Sequence, residues 1–324
     1  MSPERSTIYQ LCQLGPEAVP GTEVAADTLL SSLQISPAVK VETTPYRGTG
    51  FKYPSIVNLN KEWVEAEISG PLTYDELPYL LCSVLEDATP TGTTAKAWSW
   101  SPSSNSADTV KTFTVEQGGG GRAHLFTYGL VNELTLTFGR DACEISGNML
   151  GQALQDGITM TATPTAVALH PIMPTQVTGK LAATQAGLTG ATALARLLRA
   201  EWTIRDRFGP IWALNGQVGW SAHVEIEPTI EVKVLMEADA EGMAQLANLR
   251  AGSTRWLRLS AEGAVIAGAD NYMFQIDQPF KITEVSEFRD EDGVFAIEWT
   301  AVGVHDATWG KAVQIDMKNT LAAL

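Results

Sequence analysis

Strict alternation of apolar and polar residues is the feature that most constrains this chain. Over residues 63–68, Val64, Ala66 and Ile68 fall on one side of an extended backbone, and Trp63, Glu65 and Glu67 fall on the other. Over residues 223–234 the pattern runs longer. Val224, Ile226, Ile230, Val232 and Val234 share one face, while His223, Glu225, Glu227, Thr229, Glu231 and Lys233 share the other. A period of two belongs to strands with one packed and one wet face, which suits an antiparallel sheet. The same signal predicts strands at 112–116, 133–138, 255–260, 273–277 and 294–302. The chain is therefore predicted to be mainly β.

Helical signals are few. Thr73-Tyr-Asp-Glu76 has the form of a capping box and predicts a helix carrying Leu77, Leu80, Leu81 and Val84, with Pro78 in its early turns. A second helix is predicted to open near Asp239, with Met243, Leu246 and Leu249 on one stripe and Gly252 at its end. A third is predicted over 192–201, carrying Leu194, Leu197 and Leu198. It follows a stretch rich in Ala, Thr and Gly, 163–190, which has the composition of a connection between halves.

The order of elements repeats. An alternating strand leads to the Thr73 helix and then to Phe113-Thr-Val-Glu-Gln117. A second alternating strand leads to the Asp239 helix and then to Phe274-Gln-Ile-Asp-Gln278. The alternatives are an internal duplication and a coincidence of common element orders. Length favours the first, because 324 residues correspond to about two domains. The expected division is a first unit over 1–165, a linker over 166–192 and a second unit over 193–324.

Composition narrows the function. With 44% hydrophobic and 18% charged residues the chain folds rather than staying disordered. Acidic residues outnumber basic ones by 37 to 22, a formal charge of −15, which argues against a surface that grips nucleic acid by phosphate neutralisation. The three cysteines (Cys12, Cys82, Cys143) form no C-x-x-C pair, so neither a disulfide framework nor a zinc knuckle is expected. Residues 1–5 lack the start of a secretory signal, and no run of about 18 apolar residues exists to span a bilayer. A soluble protein made in a cytoplasm is the expectation.

The search for chemistry yields no catalytic residue, cofactor site or metal site. His124, His170, His223 and His305 never fall at zincin spacing, and no nucleophile elbow occurs. The glycine run 118–121 lacks the Gly-Lys-Ser/Thr of a phosphate loop and predicts a turn between strands. Asp292-Gly293 predicts a hairpin turn rather than a calcium loop. A second class of function stays open: a β-sandwich binding module, an adhesin or carbohydrate-binding protein, with Trp98, Trp100 and Trp220 as sugar platforms.

Several segments taken in order resemble the major tail tube proteins of long-tailed bacteriophages with flexible, non-contractile tails. They are Gly48-Thr-Gly-Phe-Lys-Tyr-Pro54, Trp63 to Leu72 running into the Thr73 helix, Thr112-Phe-Thr-Val-Glu116, and Gly129-Leu-Val-Asn-Glu-Leu-Thr-Leu136. Asp292-Gly-Val, Val304-His-Asp-Ala-Thr-Trp309-Gly and the stretch 313–319 complete the set. The resemblance implies two tandem β-sandwich or barrel domains, each flanked by a helix. It implies rings that stack around a tape-measure protein, with tail terminator and distal tail proteins at the ends. DNA would pass through the lumen without specific binding, with no membrane involved and assembly in the host cytoplasm. Duplication would give a trimeric, pseudo-hexameric ring; without it the ring would be hexameric. An acidic bore suits this role, since it repels phosphates within about a Debye length of ~8 Å. Candidate lumen residues are Glu65, Glu67, Glu225, Glu227 and Glu231, the alternative being that they face solvent on the outer wall. The segment 41–60 has no clear period and is expected to reach a neighbouring chain or ring, with Pro45, Tyr46, Arg47, Phe51 and Tyr53 as contact candidates.

Overall fold

The computed structural model describes residues 7–119 and 121–324, so the first residues examined for a signal and Gly120 of the glycine run lie outside the described residues. The first half runs β1 (Leu11–Pro16), β2 (Thr28–Leu29), β3 (Gln34–Tyr46), β4 (Ile56–Pro71), α1 (Leu77–Val84), β5 (Lys96–Trp100), β6 (Phe113–Gly119), β7 (Arg122–Gly139), β8 (Cys143–Gly151), β9 (Gln155–Asp156) and β10 (Thr165–Ala166). The second runs β11 (Val177–Ala182), α2 (Gly187–Gly190), β12 (Leu197–Arg205), β13 (Phe208–Ile211), β14 (Ala222–Glu225), β15 (Thr229–Glu237), α3 (Ala240–Ala251), β16 (Arg255–Ala267), β17 (Asp270–Val285), β18 (Arg289–Glu291), β19 (Val294–Gly303) and β20 (Gln314–Asn319). The protein is mainly β.

The strands pair in the same scheme twice. In the first half β3 pairs β4, β4 pairs β8, β8 pairs β7, β7 pairs β6 and β6 pairs β1. In the second half β12 pairs β15, β15 pairs β19, β19 pairs β17, β17 pairs β16 and β16 pairs β11. Both long strands carry a bulge at one place in this scheme. Asn132 is the extra residue of β7 between the pairs Val131–Met149 and Glu133–Asn148. Thr283 is the extra residue of β17 between Ile282–Ala301 and Glu284–Thr300. A bulge costs ladder hydrogen bonds and bends the strand, so its recurrence marks a shared design. By pairing, the counterpart of β6 is β16, so the sequence match of Phe113–Gln117 to Phe274–Gln278 joins the wrong strands: Phe274 lies in β17.

Among the described residues, two strand pairings join the halves. β7 pairs β12 from Leu134–Ile204 to Gly139–Arg199, and β5 pairs β20. The Trp98 indole donates to Asn319 Oδ1 at 3.0 Å, and Asn319 Nδ2 donates to the Tyr74 carbonyl at 2.8 Å. One apolar cluster runs through both halves, from Leu14, Val64 and Leu134 to Trp202, Val234 and Ile315.

The helices depart from expectation in instructive ways. α1 buries all eight of its residues, including Leu77, Leu80, Leu81 and Val84. Thr73 Oγ1 accepts from the Glu76 amide, and the Glu76 carboxylate in turn accepts from the Thr73 hydroxyl at 3.3 Å. It also accepts from the amides of Ser31 and Ser32 at 2.6 and 2.9 Å and ties the β2–β3 connection to the helix. α3 starts and stops as predicted, with Asp239 accepting from the amides of Glu241 and Gly242 and Gly252 in the left-handed conformation. Its predicted stripe is only partly its inner face: Gly242 and Gln245 are buried, Leu249 packs against the apolar cluster, Leu246 is half-buried and Met243 is exposed.

Three expectations are corrected. Residues 197–205 form strand β12, not a helix, because Ala200, Trp202 and Ile204 continue inward at a period of two. The stretch 223–234 is two strands in different sheets, since Pro228 has no amide to donate and interrupts the ladder. The segment 41–60 is a hairpin rather than an irregular loop: β3 and β4 stay paired out to Tyr46–Ile56, with a short turn at 47–55. Asp292 and Gly293 both have positive φ and turn β18 into β19, as the sequence predicts.

Candidate assembly surface

The pairings β3–β4–β8–β7–β12–β15–β19–β17 make one continuous eight-stranded sheet across both halves. Its inward side carries Val64, Ala66, Ile68, Leu134, Leu136, Ala200, Trp202, Val232 and Val234, all buried. Paired residues share a face, so its outward side carries Lys40, Glu65, Glu67, Asn148, Glu133, Thr135, Glu201, Thr203, Arg205, Glu231, Lys233 and Thr300. The face is charged, though it is not a bare row of acids.

Ion pairs on this face repeat with the fold. Lys40 Nζ lies 3.6 Å from Glu65, and Arg205 lies 3.0 Å from Glu231. Glu231 is 166 positions after Glu65, and the two cations sit opposite Trp63 and Thr229, also 166 apart. Arg199 pairs with Glu201 on the same face. Such exposed pairs contribute little to stability, about 0–1 kcal/mol each. Their effect is to moderate the local charge.

Of the sequence candidates, the sheet brings together Glu65, Glu67 and Glu231. It does not include Glu225 or Glu227. Glu227 is exposed in the connection before Pro228. Glu225 belongs to the small β13–β14 sheet, where its Oε1 accepts from Arg207 at 3.0 Å and from the Asp108 amide at 2.9 Å. Arg207 also donates to Asp108 at 2.7 Å and to the carbonyls of Val84 and Leu85 at the end of α1. Sequence reading missed this buried cluster, whose members lie far apart in the chain. Beside it His223 Nδ1 sits 3.1 Å from the Tyr128 hydroxyl, and burial holds His223 below the ordinary histidine pKa.

The outer end of the β3–β4 hairpin is exposed on both faces. Pro45, Tyr46, Arg47, Phe51 and Tyr53 all lie there, with Phe51 67% and Tyr53 69% exposed. Val41, Ile56, Val57 and Leu59 add further exposed apolar side chains to this ribbon. A two-stranded ribbon is marginal alone, and an exposed apolar patch of this kind marks a contact surface.

The sugar-platform expectation is overturned by burial. Trp98, Trp100 and Trp220 are at most 2% exposed. The Trp100 indole donates to Cys82 Sγ and the Trp220 indole to the Gly151 carbonyl. The cysteines are also interior; burial pushes the Cys12 thiol up to about 12 and the Cys82 thiol to about 11. Among the described residues no cluster of three or more His, Cys, Asp or Glu could hold a metal, and no helix is long and apolar enough to cross a membrane.

A charged sheet face, two open sheet edges and a projecting apolar ribbon define a structural protein built for contact with others. The family model described as phage tail tube protein matches residues 12–204, which covers β1 to β12, and the chain belongs to that family. It is a virion component of the phage tail that assembles with itself into a tube. No curated protein matches the chain.

Proposed function

We propose that three copies of this chain close into a ring, that rings stack into the tail tube, and that the genome leaves through the bore. The observation that carries this reading is the continuous eight-stranded sheet, wet on one face and open at both edges. The repeated pairing scheme supports two fused tube domains, 1–165 and 193–324, with the intervening 166–192 supplying β11 to the second. Three such sheets joined edge to edge give a cylinder of 24 strands. At about 4.8 Å per strand and a tilt of up to ~40°, its diameter is roughly 37–48 Å, which leaves room for a duplex inside the side chains. Closure also removes the sheet edges that would otherwise pair without control. A tape-measure protein would fill the bore before the genome does. Tail terminator and distal tail proteins would close the two ends, with assembly in the host cytoplasm.

Electron microscopy of the purified chain tests this directly. Rings or tubes with threefold symmetry are the expected result. Rings of six chains would overturn the fused-domain reading, and dispersed monomers under all assembly conditions would overturn the tube.

In this reading the wet face, with Glu65, Glu67 and Glu231, lines the lumen. Replacing these three with lysine adds nine cations to each ring of three chains. Tubes are expected to assemble, because the inward apolar rows are untouched, while genome delivery slows and recovers with added salt. The slope of log affinity against log salt is about −0.9 per phosphate neutralised, so a few contacts per ring are enough to hold DNA. Delivery at the normal rate would remove these residues from the lumen.

A further inference from the structure

The joint between the two halves is a template for the joint between copies. Inside the chain, the C-terminal half of β7 pairs antiparallel with β12, in the register Leu134–Ile204, Thr135–Thr203 and Leu136–Trp202. Pairing identifies the counterparts of both strands. β12 corresponds to β3: Arg205 stands opposite Thr229 as Lys40 stands opposite Trp63, so β3 positions lie 165 earlier. β7 corresponds to β17: the shared bulge aligns Glu133 with Glu284 and Leu134 with Val285, 151 later.

Those counterparts are the two open edges of the sheet. Among the described residues β3 pairs only with β4, and residues 281–285 of β17 pair only with β19. Burial shows what each edge lacks. Ile204, covered by β7, is 2% exposed; its counterpart Val39 is 45% exposed.

We propose that β3 of one copy pairs antiparallel with the end of β17 of the next copy, with Val39 opposite Val285, Ala38 opposite Ser286 and Lys40 opposite Glu284. This rests on the ring reading above and specifies its joint. The faces agree. Val39 and Val285 pair with Val64 and Trp299 on the buried side, as Ile204 and Leu134 do at the internal joint. On the wet side Lys40 meets Glu284, and one step along the internal register Arg205 stands opposite Glu133. Opposite charges facing each other fix the register and disfavour slippage.

The template extends to the arm. The segment after β12 crosses the internal joint: the Phe208 amide donates to Asn132 Oδ1 at 2.7 Å, and Trp220 packs on Tyr128. The segment after β3 is the exposed hairpin end, which on the same geometry lies across the next copy, past Thr283.

Disulfide trapping tests the register. The hydroxyls of Thr135 and Thr203 touch at 2.9 Å across the internal joint, so cysteines at the matching positions are within bonding reach. Ala38→Cys with Ser286→Cys, oxidised after assembly, is expected to give covalent dimers and trimers on a denaturing gel, while either variant alone stays monomeric. The native thiols are buried and do not compete. Lys40→Glu or Glu284→Lys alone is expected to lose most pelletable assembly, and the two together to restore it. Tubes that form without cross-links, or a double reversal no better than its parents, overturn the joint while leaving the tube intact. Wild-type protein that never assembles overturns the ring reading itself.

Discussion

Removing the outer end of the β3–β4 hairpin is expected to yield a folded chain that cannot polymerise. In the variant, residues 44–59 are replaced by an Asn-Gly turn, leaving the pairing of β3 with β4 intact through Glu42–Lys61. Folding survives because the deleted end is exposed almost throughout and contributes nothing to the apolar cluster. Assembly does not survive. Tyr46, Phe51, Tyr53, Ile56, Val57 and Leu59 are all exposed and all lost. At about 1.5 kcal/mol for each apolar side chain buried on contact, six of them contribute ~9 kcal/mol per joint. That is comparable with the ~4–15 kcal/mol that association costs in lost freedom, so its loss decides the equilibrium. Sedimentation should find the variant entirely soluble, with a melting temperature within a few degrees of the parent. Normal tubes would show that the arm is dispensable.

The arm illustrates how far the sequence was legible. Pro45, Gly48, Gly50 and Pro54 signal a reversal of direction, and the lack of any period signals that no face is packed. Both are correct for a ribbon wet on two sides, yet neither distinguishes a ribbon from a loop. Strands β4 and β19 were legible because one face of each is buried and alternation survives. The strand at 197–205 was hidden because Leu194, Leu197 and Leu198 happen to fall at helical spacing. Only the inward Trp202 and Ile204, with β-branched Thr203, carried the strand signal. The repeated scheme was visible as an order of elements. Its strongest marks, the matched bulges and the matched ion pairs, are properties of pairing and have no signature in one chain's sequence. The acid rows were half legible: Glu65, Glu67 and Glu231 do share a face, whereas Glu225 is drawn away by Arg207, and nothing local announces a partner that also binds Asp108.

That partner gives the largest expected effect on stability. Arg207 is 5% exposed and holds two carboxylates and two carbonyls, fixing the end of α1 to the connection that leaves β12. Arg207→Met keeps much of the side-chain volume but leaves the largely covered Asp108 and half-buried Glu225 carboxylates together without a cation. Removing one partner of a buried ion pair costs about 3–5 kcal/mol, mostly as the penalty of stranded charge. The Val84 and Leu85 carbonyls lose their donors as well. Urea unfolding of Arg207→Met is therefore expected to show a lower midpoint at an unchanged slope. Adding Asp108→Asn and Glu225→Gln should recover most of the loss, because neutral amides leave no stranded charge. If the cluster instead mattered chiefly through the two carbonyl contacts, the triple variant would stay as unstable as the single one. The two outcomes separate charge from capping. They also bear on assembly, because the same connection packs across the internal joint whose geometry the ring is proposed to repeat.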